Sequence, residues 1–132
     1  MRRDARRAQI AALVAPQLGQ TEELVGTCTV WAASLTRVPL LFRGRHRHPL
    51  ALTDARVLLF EAPRRRRRQP DPRLALRFPR LEVLRSRRRL RRHQLVLAAE
   101  QDRRFVVEFE RRDRGVAREL EAAIAAAHET AR

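Results

Sequence analysis

The hydrophobic period changes twice along this chain, and those two changes constrain the fold more than any other feature. Residues 4–18 set Ile10, Leu13, Val14 and Leu18 at helical spacing, which predicts a short amphipathic helix with one apolar stripe. From Glu23 the period drops to two. LVGTCTVW (24–31) is rich in β-branched residues and reads as a strand, whereas VPLLF (38–42) carries Pro39 and reads as an edge strand or a covered loop. Leu50 and Leu52 lead into Thr53-Asp54-Ala55-Arg56, and Val57 to Phe60 lead out, a hairpin with Asp54 as its turn residue. RLALRF (73–78) and LEVLRS (81–86) are short strands separated at Pro79. HQLVLAA (93–99) turns through Glu100, Gln101 and Asp102 into RRFVVEFE, where Phe105, Val107 and Phe109 face one side and Val106 and Glu108 the other. The period then returns to helical. Asp113 is placed to cap a helix whose stripe is Val116, Leu120, Ile124 and Ala127, in an alanine-rich background that favours helix.

Short antiparallel strands joined by tight turns argue for a sandwich or a barrel, and one helix after the last strand most naturally covers an open end. The expected fold is therefore mainly β, a single domain over residues 1–132. Its parts are an N-terminal helix at about 4–18, about seven strands between about 22 and 110, and a capping helix at about 113–129. A chain of 132 residues is long enough to bury one such core.

Charge supplies the second constraint. The formal net charge is +15, and residues 64–92 hold fourteen arginines against Asp71 and Glu82, so twelve of the fifteen charges sit in 29 residues. The chain has no Lys, Asn or Tyr and only two Ile, a usage that points to a GC-rich genome in which arginine stands in for lysine. Codon usage accounts for the arginines but not for the scarcity of acids among them. Charge so concentrated makes a local field that attracts polyanions or anionic surfaces. Arg2, Arg3, Arg6 and Arg7 crowd the start of the first helix, where positive charge opposes the helix dipole, so they serve a partner or solubility rather than the helix.

Two stretches also resemble a known family. ALTDARVLLFEA is similar to the "LTDRRLLLF" hairpin of bacterial pleckstrin-homology-like and GRAM-like domains, and LGQTEELVGTCTV resembles their opening strand after a short helix. FVVEFERRDRGVARELEAAIA is similar to their last strand and capping helix. The resemblance implies a barrel of two orthogonal antiparallel sheets, about seven strands in all, capped by the C-terminal helix. It implies no enzymatic activity and no cofactor, because such domains bind lipids, proteins or their own copies. Phosphoinositide-binding members use spaced basic residues near the first hairpin, for which the nearest match here is Arg43, Arg45 and Arg47. The larger charge lies later, in residues 64–92, away from that hairpin.

The residues offer little else for chemistry. His46 and His48 form an H-x-H pair, but His93 and His128 lie in separate segments and no carboxylate cluster joins them, so no metal site is expected. Ser34, Ser86 and Cys28 stand outside any nucleophile motif, and the four glycines are too scattered for a phosphate-cradling loop. A lone cysteine excludes an internal disulfide. The basic start before a short apolar stretch lacks a small-x-small cleavage pattern, and Pro16 follows it, so the chain is expected to be cytoplasmic, with docking at the inner face of the membrane. The expected anion-binding residues are Arg64, Arg65, Arg66, Arg67 and Arg68 together with Arg85, Arg87, Arg88, Arg89, Arg91 and Arg92, with Arg43, Arg45 and Arg47 as a secondary basic site. Along RSRRRLRRHQ, alternation sends Arg85, Arg87 and Arg89 to one side and Arg88 and Arg92 to the other, which favours a projecting hairpin end. The expected partner is an anionic membrane or an acidic protein. Nucleic-acid binding comes second, as nonspecific contact with duplex phosphates, since single-strand readers stack bases and only Phe78 among residues 64–92 is aromatic. A structural or homo-oligomerising module with a merely solvating basic loop is the third reading.

Overall fold

In the computed structural model, which describes residues 2–35, 46–60, 72–100 and 103–130, each change of period is a change of element. Helix α1 (Arg2–Val14) tightens into a 3-10 turn at Ala15–Gln17, where Pro16 has no N–H to continue the α pattern. Seven strands follow: β1 (Leu24–Leu35), β2 (His46–Thr53), β3 (Arg56–Phe60), β4 (Pro72–Arg77), β5 (Glu82–Arg88), β6 (Arg92–Ala98) and β7 (Arg104–Glu110). Helix α2 (Arg114–Thr130) closes the chain. The apolar run at 38–42 lies outside the described residues.

All neighbouring strands are antiparallel, in the order β4-β3-β2-β1-β7-β6-β5. The seven expected strands thus form one continuous hydrogen-bonded sheet. Strand β1 makes this continuity possible, because its twelve residues serve both halves. It pairs with β2 from Leu24 to Ala32 and with β7 from Val30 to Leu35. The edge strands β4 and β5 are joined through a 3-10 turn at Phe78–Arg80, and α2 packs on that turn. The His128 ring donates a hydrogen bond to the Leu81 carbonyl, fixing the end of the helix there.

Alternation decides which side chains fill the core. Cys28, Val30, Leu50, Leu52, Val57, Leu59, Leu95 and Leu97 point inward with Phe105, Val107 and Phe109. The buried stripe of α2, Ala117, Leu120 and Ile124, covers them, with Val116, Ala123 and Ala127 at its margins. Asp113 stands immediately before α2 as expected, but it ends a 3-10 turn (Arg111–Asp113), so the chain begins to coil just after Glu110.

Strand β3 breaks the alternation because it is covered on both faces. Val57 and Leu59 enter the main core, while Leu58 and Phe60 join Ala51 under Ile10 and Val14 of α1. Each such side chain withdrawn from water contributes about 1.5–3 kcal/mol. The apolar stripe of α1 is therefore spent on the outer face of β2 and β3 rather than offered to a bilayer.

The β2–β3 turn is locked from three sides. Thr53 Oγ1 accepts the backbone N–H groups of Ala55 (3.1 Å) and Arg56 (3.0 Å) and donates to Glu22 Oε2 (2.7 Å). Arg56 grips both oxygens of Glu22, at 2.9 and 3.1 Å, and donates to the Gln17 carbonyl at 2.6 Å. Asp54 accepts from the Glu23 N–H at 3.1 Å, so it ties the turn to the start of β1 as well as shaping it. The Thr-Asp-Ala-Arg motif is thus a joint between helix, strand and hairpin.

Candidate anion-binding surface

The arginine-rich stretch 85–92 forms the β5–β6 hairpin, with Leu90 and Arg91 at its turn. The last strand pair is Arg88 with His93, and the Arg89 N–H closes the end on the Arg92 carbonyl at 2.8 Å. The tip is braced from below. Arg111 donates its backbone N–H to the Arg91 carbonyl at 3.2 Å, and the Arg114 guanidinium donates to the Arg89 carbonyl. The turn is therefore held against the junction of β7 and α2.

Register corrects one expectation about the faces. Arg88 pairs with His93, an even number with an odd one, so crossing the turn inverts parity. Arg92 shares the outer face with Arg85 and Arg87, while Arg88 lies on the side of Ser86 and His93. Counting alternate residues along the sequence ignores the turn, which is why Arg92 was expected beside Arg88.

Arg85, Arg87, Arg88, Arg89 and Arg91 are all exposed, and no carboxylate partners any of them among the described residues. Leu90, between Arg89 and Arg91, is 87% exposed. Arg64 to Arg68, Arg43 and Arg45 lie outside the described residues. Phe60 and Pro72, which border residues 61–71, are on strands separated from β6 by β2, β1 and β7.

Arg92 and Arg47 behave differently. Both guanidinium groups lie over Trp31, at 4.1 and 4.7 Å from the ring centroid, a cation–π arrangement. Arg92 donates to Glu108 at 2.9 Å, and Gln94 donates to the other oxygen of Glu108 at 3.3 Å. Arg47 and Arg112 share Glu110, at 2.8 and 2.6 Å. Arg7 of α1 approaches Asp113 at 3.9 Å. A hollow lined by Arg6, Arg7, Arg47 and Arg112 opens beside this network, but Glu110 and Asp113 sit inside it. Trp31 carries no signal in the sequence beyond its place on a strand, because the arginines over its ring come from two other strands, β2 and β6.

The other candidates for chemistry are explained locally. The buried His48 ring donates from Nδ1 to the Phe60 carbonyl at 2.9 Å. The side chain of His46 lies outside the described residues. His93 Nε2 stands 3.0 Å from Ser86 Oγ and 3.9 Å from Glu121, so serine and carboxylate face the same ring nitrogen. A relay that activates serine needs the carboxylate on the opposite nitrogen, and His93 Nδ1 is buried with no hydrogen-bond partner among the described residues. Burial pushes the Cys28 thiol well up, so it stays protonated and packs as an apolar group. No helix is long and apolar enough to cross a membrane among the described residues.

No protein-family model matches this chain, and no curated protein does. Solved structures do match. A pleckstrin-homology domain protein of the DUF1696 family from Shewanella loihica PV-4 aligns over 92% of each chain, with a TM-score of 0.56 and 17% identity. A pleckstrin-homology domain from Shewanella amazonensis SB2B aligns over 89% of this chain and 96% of its own, with a TM-score of 0.52 and 15% identity. Vav1 bound by an allosteric inhibitor aligns over 95% of this chain, with a TM-score of 0.60 and 17% identity, yet this chain spans only 34% of it. At these identities the likeness is one of fold, and the fold is that of pleckstrin-homology domains.

Proposed function

We propose that this protein is a non-catalytic binding module that docks on an anionic partner through the arginines of its β5–β6 hairpin. One observation carries the reading: Arg85, Arg87, Arg88, Arg89 and Arg91 are exposed with no carboxylate partner among the described residues, on a hairpin whose turn is held by hydrogen bonds from Arg111 and Arg114. Planar guanidinium groups carried on a backbone held in this way suit paired contacts to phosphate or carboxylate oxygens. Arg64 to Arg68, Arg43 and Arg45 join the proposal on charge alone. An anionic membrane surface or an acidic protein stands ahead of nucleic acid. Single-strand binding calls for open aromatic platforms, and the ring of Trp31 is already covered by two arginines. Docking from the cytoplasm onto the inner membrane face is the setting this reading favours.

The test is co-sedimentation with phosphatidylglycerol vesicles and with neutral vesicles at low salt, beside retention on duplex DNA. Each basic residue near an anionic leaflet contributes about 1 kcal/mol, so replacing Arg88 and Arg91 by Gln is expected to weaken binding roughly thirtyfold. Equal binding by that double variant would remove the hairpin from the interface. A protein that ignores every anionic surface and runs as a closed assembly in light scattering would instead be an oligomerising module.

A further inference from the structure

Leu90 is the one feature of the hairpin that charge does not explain. It occupies a two-residue turn, where Gly, Asn, Asp and other polar residues are the usual choices. At 87% exposure it is the most exposed large apolar side chain among the described residues; Val25 and Leu84 stand at 49% and 42%. Its immediate neighbours are arginines on both sides, and none of Arg87, Arg88, Arg89 or Arg91 is ion-paired among the described residues. A residue that contradicts its local chemistry without a packing reason marks a place where function has intervened.

We infer that Leu90 is a wedge that enters the headgroup–acyl boundary of an anionic lipid bilayer while the arginines around it hold the lipid phosphates. The inference rests on the proposed docking reading and narrows it to one partner. A nucleic-acid backbone rewards charge alone, and an acidic protein segment rewards the leucine only where it brings an apolar pocket of its own. A bilayer offers both halves of what the tip displays, a phosphate layer and, a few ångströms deeper, hydrocarbon. Long arginine side chains can keep their charged ends at the headgroups while their stems follow the leucine inward. Helix α1 also carries an apolar stripe, but Ile10 and Val14 are buried on β2 and β3, so that helix cannot supply an anchor without leaving the sheet. The brace from Arg111 and Arg114 means the wedge is presented without an ordering step.

Two substitutions separate insertion from simple attraction, and both change a solvent-exposed side chain, so the fold is preserved. Leu90→Ala is expected to weaken binding to phosphatidylglycerol vesicles about tenfold, while Leu84→Ala leaves it unchanged. Leu90→Arg raises the charge and removes the apolar tip; insertion requires weaker binding, whereas attraction alone requires equal or tighter binding. A direct reading comes from Leu90→Cys in a Cys28→Ala background, carrying an environment-sensitive fluorophore. Its emission is expected to shift to the blue and become shielded from iodide on anionic vesicles. Vesicle binding by the unaltered protein with no blue shift, or a gain of affinity in Leu90→Arg, would overturn the wedge and leave charge-driven docking standing. Failure of the unaltered protein to bind anionic vesicles would overturn the wedge whatever the other variants did. Retention on duplex DNA in that case would keep the anionic docking reading alive with a different partner.

Discussion

Two populations of arginine lie on the strands and turns of this domain, and they differ in what faces them. Around Trp31, Arg47, Arg92 and Arg112 each meet a carboxylate of β7, Glu108 or Glu110, and two of them stack on the indole. A few residues away, Arg85, Arg87, Arg88, Arg89 and Arg91 are exposed, and none of them is ion-paired among the described residues. Residue type is the same in both, and Arg91 and Arg92 are neighbours in the sequence. The difference lies in register: Glu108 and Glu110 project from the outer face of β7, level with Gln94 and Arg92, and the strand ends before it can serve the tip. A compensated arginine is part of the scaffold, and an uncompensated one on a rigid turn is available to a partner.

The comparison breaks first if the tip proves structural. Replacing Arg85, Arg87, Arg88 and Arg91 by Gln is expected to lower affinity for anionic vesicles by about three orders of magnitude, at about 1 kcal/mol for each charge. Urea unfolding of the same variant should stay within about 0.5 kcal/mol of the unaltered protein, since surface charges without partners add little to stability.

The opposite pattern is expected at the compensated site. Glu108 is 4% exposed, and Glu108→Ala leaves Arg92 over the indole without its carboxylate. Breaking a fully buried pair costs about 3–5 kcal/mol, but the Arg92 side chain is 40% exposed, so a loss near 2 kcal/mol is expected. Vesicle binding by that variant should hold or rise, because a negative charge is gone.

A smaller effect separates both populations from the hinge of the first hairpin. The paired grip of Arg56, helped by Thr53 and the Gly19 N–H, holds the Glu22 carboxyl at about 2 against an ordinary 4.5. A lowered carboxyl contributes stability that is complete above about 4.5 and lost as pH falls toward 2. Glu22→Gln should therefore cost about 1–2 kcal/mol at neutral pH, and the gap to the unaltered protein should close between those two pH values in acid titrations followed by circular dichroism. The smallest effect is expected from Arg47→Gln, below about 1 kcal/mol in thermal unfolding, because that arginine's pair is half-exposed.

Much of the fold was legible because it is written in short-range pattern. Val57, Leu59, Phe105, Val107 and Phe109 alternate, Leu120 and Ile124 recur at helical spacing, and each reading needs only neighbouring residues. The joint at Thr53 and Asp54 was legible as a turn, but its partner Glu22 is 31 residues before Thr53 and no local rule connects them. The charged stretch was legible too, whereas its division into bound and free arginines was not. The unexpected face of Arg92 came from a turn that exchanges odd for even. Leu90 was visible as a single apolar letter between arginines, but its exposure depends on where the hairpin ends.

By itself, then, the amino-acid order determined the kinds of element, their order and the place where positive charge accumulates, since propensity, period and charge act over a few residues at a time. Only the tertiary structure decided which arginines are neutralised, which apolar stripe is already covered and which leucine is left in water. Those outcomes depend on strand pairing, where Glu108 meets Gln94 and Trp31 meets Arg47 across many residues of chain, and on a turn that stops one strand short of another.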